Sequence, residues 1–257
     1  MRRPGKDRLG PRCHRRVKAG EIGLSEEAMV PEGNQIHTAG ESPRTDGGMI
    51  LYHSPGSCST AAMLALEESG LPYALETISV QAGDTRTAEF IRRDPWGGVP
   101  ALVLPDGSCL TETVAILQFL ADAVPDRELL PPNGTVARAR AVSFLARLTG
   151  TVHIAFRPLL RPDKLASTRE GQQDVRHTGI AALNGVLERL EDEIRGEDSV
   201  LVSGFSLCDV YALVFAHWTL RPLIREHVIA TPRLHAVGRA VQRRPATSGR
   251  LPAQPRL

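Results

Sequence analysis

From residue 49 onward the apolar positions follow two rhythms. Ile50-Leu51-Tyr52-His53 is a short run of strand formers that ends at Ser54-Pro55-Gly56, a punctuating turn. A helix comes next, with Ser57 or Ser59 as its cap and Gly70 as its stop. The pattern then predicts a strand over Tyr73 to Val80, a short helix over Thr87 to Arg93 and a strand from Val99 to Leu104 that starts at a proline. Pro105-Asp106-Gly107 is a turn, Cys109 to Thr111 a fourth strand, and Thr113 to Ala123 a helix that buries Val114, Leu117, Phe119 and Leu120. The order is β-α-β-α-β-β-α.

After a proline- and glycine-rich linker over Leu129 to Thr135, only helical periods remain. One helix is expected from Thr135 to Phe156, before Arg157-Pro158, and another from Ser167 to Arg195. A third starts at Ser206, where Asp209 three residues on makes a capping box with Asp in place of Glu. The last covers Pro232 to Arg243. The reading is an α/β domain over 49–128 and an all-α domain over 134–245, with no internal repeat.

Residues 1–48 are rich in Arg, Gly and Pro and have hardly any aliphatic period; such a segment does not fold alone, so the folded chain is expected to start at Met49 and a loose tail to begin at 246. The 257 residues, 42% of them hydrophobic, can bury a core, and a net charge of +2 without a basic face past residue 50 argues against nucleic acid. No apolar run of membrane-spanning length and no apolar signal core is present, which points to a cytoplasmic protein with no membrane partner. Cys13, Cys58, Cys109 and Cys208 are scattered without a C-x-x-C, so neither a disulfide framework nor a metal site is expected.

Three places carry candidate chemistry. Cys58 lies between a strand end and a helix start, where free N–H groups and the helix dipole favour a thiolate and an exposed sulfur; an unpaired cysteine is as commonly a small buried filler. Val99-Pro100, after two glycines, is a candidate cis bond that would turn the Val99 backbone towards an extended peptide ligand, or else an ordinary trans proline at a strand start. Thr111-Glu112-Thr113 offers N–H groups and a hydroxyl to a carboxylate and the Glu112 carboxylate to an ammonium group, or is simply a helix start.

In this order, Ser54-Pro55-Gly56-Ser57-Cys58-Ser59, Gly98-Val99-Pro100-Ala101-Leu102 and Leu110-Thr111-Glu112-Thr113-Val114-Ala115-Ile116 resemble the thioredoxin-like half of bacterial beta-class glutathione transferases. The stretches His153 to Leu159 and Phe205 to Tyr211 resemble its helical half, so the resemblance covers about residues 49 to 245. It implies the cytosolic glutathione transferase fold, a homodimer, and a detoxifying transfer of glutathione, as co-substrate, to small hydrophobic electrophiles. By the same resemblance Cys58 and His153 face the glutathione sulfur, while Val99, the cis Pro100, Glu112, Thr113 and Gly150 hold the tripeptide. Ser206 and Asp209 match a structural cap, and His217-Trp218 is read as core.

Some positions depart from the family. Ile154 stands where lysine is common and Ala146 where an asparagine contacts glutathione; no lysine lies in Gln81 to Arg86, though Arg86 is a candidate substitute. If each lost contact is worth about 1 kcal/mol, binding weakens tens of times. Two other readings accompany conjugation: disulfide or peroxide reduction through Cys58, and a non-catalytic binding module of the same fold.

Overall fold

The structure, a computed structural model, describes residues 48–250. The expectations of disorder for 1–48 and of a loose end after 250 therefore lie outside the described residues, Gly48 apart.

The first part is a thioredoxin-like sheet with helices. The strands β1 (Met49–His53), β2 (Tyr73–Thr77), β3 (Ala101–Val103) and β4 (Cys109–Thr111) lie in the order β2-β1-β3-β4, with β1 parallel to β2 and the other two pairs antiparallel. Strand side chains alternate between faces, and β1 uses both. Met49 and Leu51 join the main core with α1 (Ser59–Ser69) and α3 (Thr113–Ala123); Ile50 and Tyr52 turn to Phe90 of α2 (Ala88–Arg93), where the Tyr52 and Phe90 rings meet edge to face at 5.5 Å.

Two strands are shorter than their apolar runs. After β2 the Ile78 N–H still donates to the His53 carbonyl at 2.8 Å, but Asp84 Oδ2 takes the Ser79 N–H at 2.7 Å and draws the chain out of the sheet. The Val99–Pro100 bond is cis, and the ladder of β3 begins only at Ala101.

The second part is helical: α4 (Val136–Arg147), α5 (His153–Leu160), α6 (Arg169–Glu193), α7 (Leu207–Thr219) and α8 (Pro232–Arg243). The single helix expected over Thr135 to Phe156 is broken by a π-helical turn, Leu148–Val152, in which the His153 N–H donates to the Leu148 carbonyl. Two β-branched threonines flank Gly150 here, and the one-residue insertion rotates α5 relative to α4. Nor does the helix stop before Pro158. That ring removes only the bond to the carbonyl of Ile154, which is 51% exposed, and Gly179 of α6, where a Cβ would lie 2.4 Å from Pro158 Cβ, lets the two helices close on each other.

The linker is also more ordered than its composition suggests: Leu129 and Leu130 are buried, and the Leu129 carbonyl accepts the Leu207 N–H at 2.8 Å. Past residue 245 the chain stays packed to the end of the described residues. Thr247 is buried and donates to the Val241 carbonyl, Arg244 pairs through two nitrogens with Glu68, and Arg250 reaches Glu67 at 3.2 Å, so a tail loose from 246 is corrected. Tertiary ion pairs onto α1 hold it where sequence composition reads only proline and glycine.

Ser206 caps α7 by accepting the Cys208 N–H at 3.3 Å, and buried Asp209 accepts the Ser206 N–H at 2.6 Å, the Ser206 hydroxyl at 3.2 Å and the Val200 N–H. Ser206→Ala should cost about 1 kcal/mol, and Asp209→Ala, which strands two buried N–H groups, on the order of 3 kcal/mol. Urea unfolding of the two variants checks this, with activity per folded molecule unchanged.

Buried His53 and His217 are each held down to about 4 by desolvation. Gln242 donates to His217 Nε2 at 2.9 Å, a bond that suits the neutral ring. In the unfolded chain both would protonate near 6.5, so over the window from there to about 4 the unfolded state binds more protons and stability falls as pH falls. Asp209, pushed up to about 6 by burial, works the other way between about 4 and 6. Burial lowers His153 and His235 as well, so the histidines together outweigh Asp209 and stability falls as pH falls through this window. His217→Gln should make that fall shallower in unfolding curves taken between pH 4 and 6.

Candidate active site

The sheet register assembles the site. Tyr52 pairs with Ala101 and Ala101 with Thr111, so the end of β1, the start of β3 and the end of β4 stand side by side. The three loops at that edge are those carrying Cys58, Val99-Pro100 and Glu112-Thr113.

The first loop is held by serines. Ser59 Oγ lies 2.8 Å from His53 Nδ1 and 2.7 Å from Ser57 Oγ, and accepts the Ser54 N–H at 3.0 Å. Neither Ser57 nor Ser59 takes the N-cap position; Cys58 does, with Ser57 Oγ accepting the Ser59 N–H at 3.2 Å. The expectation of an exposed, acidified sulfur is overturned. Cys58 is 6% exposed, and burial pushes its thiol up to about 11 despite the helix start, because later helices cover it.

Those helices bring His153 Nδ1 to 3.4 Å from Cys58 Sγ, and Tyr211 interacts with the same thiol. Tyr211 also pairs with Thr149 Oγ1 at 3.1 Å in the π turn and interacts with Thr113 at the start of α3. Burial, then the charge of Arg157, lowers the His153 pKa, so at neutral pH a neutral imidazole faces a neutral thiol. The Glu112 charge opposes ionisation of Cys58, and that of Arg221 favours it.

Glu112 is exposed at φ 69°, in the left-handed region a side chain rarely adopts, a conformation that costs about 1–3 kcal/mol and is characteristic of functional loops. Thr113 beside it is buried. The loop before Val99 is set by Asp94, buried, whose Oδ1 accepts the Trp96 N–H at 3.0 Å and Oδ2 the Gly98 N–H at 2.7 Å. Exposed Arg86 lies against the same loop: a Cβ on Gly97 would come within 3.1 Å of its Nη1.

Cys58, His153, Glu112 and Thr113 are thus brought together, with Val99 on the adjoining strand start. Gly150 sits in the π turn with open space at its Cα, one residue from Thr149. Ala146 lines a separate groove between α4 and α6 with Arg147 and Arg189. Ser206 and Asp209 spend their bonds within the cap of α7.

The sequence reading missed Asp94, Tyr211, Trp218 and Arg221 as site residues. Tyr211 ends the Phe205 to Tyr211 stretch that resembles the family, but only the three-dimensional fold shows that its hydroxyl pairs with Thr149 in the π turn beside the thiol. Trp218 is buried, as a core residue would be, yet its Nε1–H donates to the Gly56 carbonyl at 2.9 Å and its ring meets that of His153 at 5.1 Å. Among the described residues no group of three or more His, Cys, Asp and Glu is placed to hold a metal ion, and no helix is long and apolar enough to cross a membrane.

Residues 56–123 match the model of the glutathione S-transferase N-terminal domain. The chain is 33% identical over 171 residues to glutathione S-transferase GstA of Escherichia coli O157:H7, covering 66% of this chain and 82% of that one. Among solved structures, the beta-class glutathione S-transferase of Sphingomonas chungbukensis superposes with a TM-score of 0.67 at 32% identity, covering 81% of this chain and 100% of its own. A Sulfitobacter homologue with bound glutathione gives 0.70 at 28% identity over 78% and 95% of the two chains. At 33% identity over 82% of the length of that Escherichia coli relative, the chain belongs to the glutathione S-transferase family.

Proposed function

We propose that the protein conjugates reduced glutathione to small hydrophobic electrophiles, with glutathione lying along the sheet edge where the three loops meet. The observation that carries this reading is the alignment of Tyr52, Ala101 and Thr111, which gathers a backbone strand start, a carboxylate, a helix start and a thiol pocket within reach of one tripeptide. A γ-glutamyl end needs both an acceptor for its ammonium group and donors for its carboxylate; Glu112 supplies the first and Thr113 with the N–H groups of α3 the second. Val99 pairs with the cysteinyl backbone next to Pro100, and Gly150 leaves room for the ligand at the π turn. Arg86 supplies a cation for the glycyl carboxylate in place of the absent lysine. The glutathione-bound Sulfitobacter relative and the Escherichia coli transferase support the same reading.

In conjugation the glutathione sulfur loses its proton and attacks the electrophilic carbon, and the leaving group departs with its electron pair. Neutral His153 is a proton acceptor suited to that sulfur. Cys58, with its thiol held near 11, is poorly suited to be a nucleophile and is read as the wall on which the glutathione sulfur rests, able to form a mixed disulfide with an oxidised glutathione. We also propose two domains, over about 49–128 and 134–245, a homodimer and a cytoplasmic setting; the free state of Cys58, Cys109 and Cys208 supports the last.

Cys58→Ala tests the division of labour. Conjugation of glutathione to a chromogenic electrophile should stay within about tenfold of wild type, while reduction of a glutathione mixed disulfide disappears. Loss of conjugation as well, in a folded variant, would show that the Cys58 sulfur takes part in the transfer itself.

A further inference from the structure

The thiol site includes a cation supplied from the far end of the chain. Arg221 lies two residues beyond α7, and its guanidinium donates to the carbonyl of Gly56, the same oxygen that accepts Trp218 Nε1–H at 2.9 Å. Gly56, at φ 73°, is two residues before Cys58. The guanidinium also lies 5.0 Å from the centre of the Trp218 ring, which in turn meets His153 edge-on. Among the described residues Arg221 takes part in none of the ion pairs. A half-buried arginine whose fixed contacts are a neutral carbonyl and an aromatic face is a cation without an anion.

We propose that Arg221 is a positioning residue of the thiol site, which locks the Gly56 to Cys58 loop under α7 and supplies the positive charge that a sulfur anion there requires. This rests on the reading of Cys58 as the thiol of the site and deepens it. His153 of α5 touches this sulfur, and Tyr211 of α7, Glu112 of the loop before α3 and Arg221 act on it electrostatically, with Arg157 next to His153. His153 is neutral, Tyr211 is uncharged far above neutral pH, and Glu112 disfavours an anion. That leaves Arg221 as the group whose charge favours a thiolate, and the coupling is mutual: Cys58 raises the pKa of Arg221, which burial otherwise lowers.

The test is the rate at which iodoacetamide alkylates Cys58 between pH 7 and 10, followed by mass spectrometry of the peptide that contains it, on the full chain without glutathione. Arg221→Gln keeps an N–H donor and drops the charge, so the Cys58 thiol should rise by about one pH unit. A tenfold smaller thiolate fraction, partly offset by a more nucleophilic anion, should slow alkylation about threefold to tenfold at each pH below the midpoint. Arg221→Lys keeps the charge and should stay within about twofold of wild type. A purely structural anchor would behave differently, because a freed loop exposes the sulfur and speeds alkylation. The proposal is overturned if the Gln variant, folded by circular dichroism, reacts as fast as wild type or faster, or if the Lys variant is as slow as the Gln variant. If the Gln variant does not fold, the same curve on Arg221→Lys decides: a wild-type curve supports the charge, and a slowed one overturns it. Because no glutathione is present, failure of the conjugation assay leaves this result standing, and the two readings fail separately.

Discussion

Tyr52, Ala101 and Thr111 stand abreast across three strands, and the chemical groups of the site depend on that row. A slip of one residue in the β1–β3 pairing would reverse the faces of β3, moving Leu102 out of the main core and carrying the Val99 loop away from the cysteine loop. The register is secured from both sides of the sheet. Leu51 and Leu102 are fully buried against α1 and α3, and Ile50, Tyr52, Ala101 and Val103 close on Phe90 beneath.

On this frame the helical part does more than wall a pocket. It sets the protonation states of the site. The helices that carry His153 and Tyr211 bury the Cys58 sulfur and remove water from it, which holds thiol and imidazole neutral together. A neutral pair close by suits a site where the ionised sulfur belongs to the substrate, since a resident thiolate would repel it. The π turn before His153 contributes twice, by rotating α5 relative to α4 and by offering the Thr149 hydroxyl to Tyr211.

Local signals in the chain were legible because their physics is local. The strand and turn before Cys58, the proline after Gly98, the capping box at Ser206 and Asp209, and the bounds of α8 each depend on neighbours within a few residues, and the structure has them where the pattern puts them. What failed depended on distant partners. α5 runs through Pro158 because Gly179 makes room, and the last turn stays packed because Arg244 finds Glu68. The exposure of Cys58 failed for the same reason: a helix start argues for an acidic thiol, and only the arrival of α5 and α7 reveals that burial outweighs it. Arg221 gave no local signal, being one arginine among many until the fold brings it to the Gly56 carbonyl.

The measurement that bears most directly on glutathione binding at the row of loops is calorimetric titration of the purified full chain with reduced glutathione. Saturable binding at about millimolar concentration or below, −4 kcal/mol or better, is expected despite Ala146 and Ile154. No heat of binding up to about ten millimolar, from protein shown to be folded, would contradict it and leave the fold as a matter of ancestry alone.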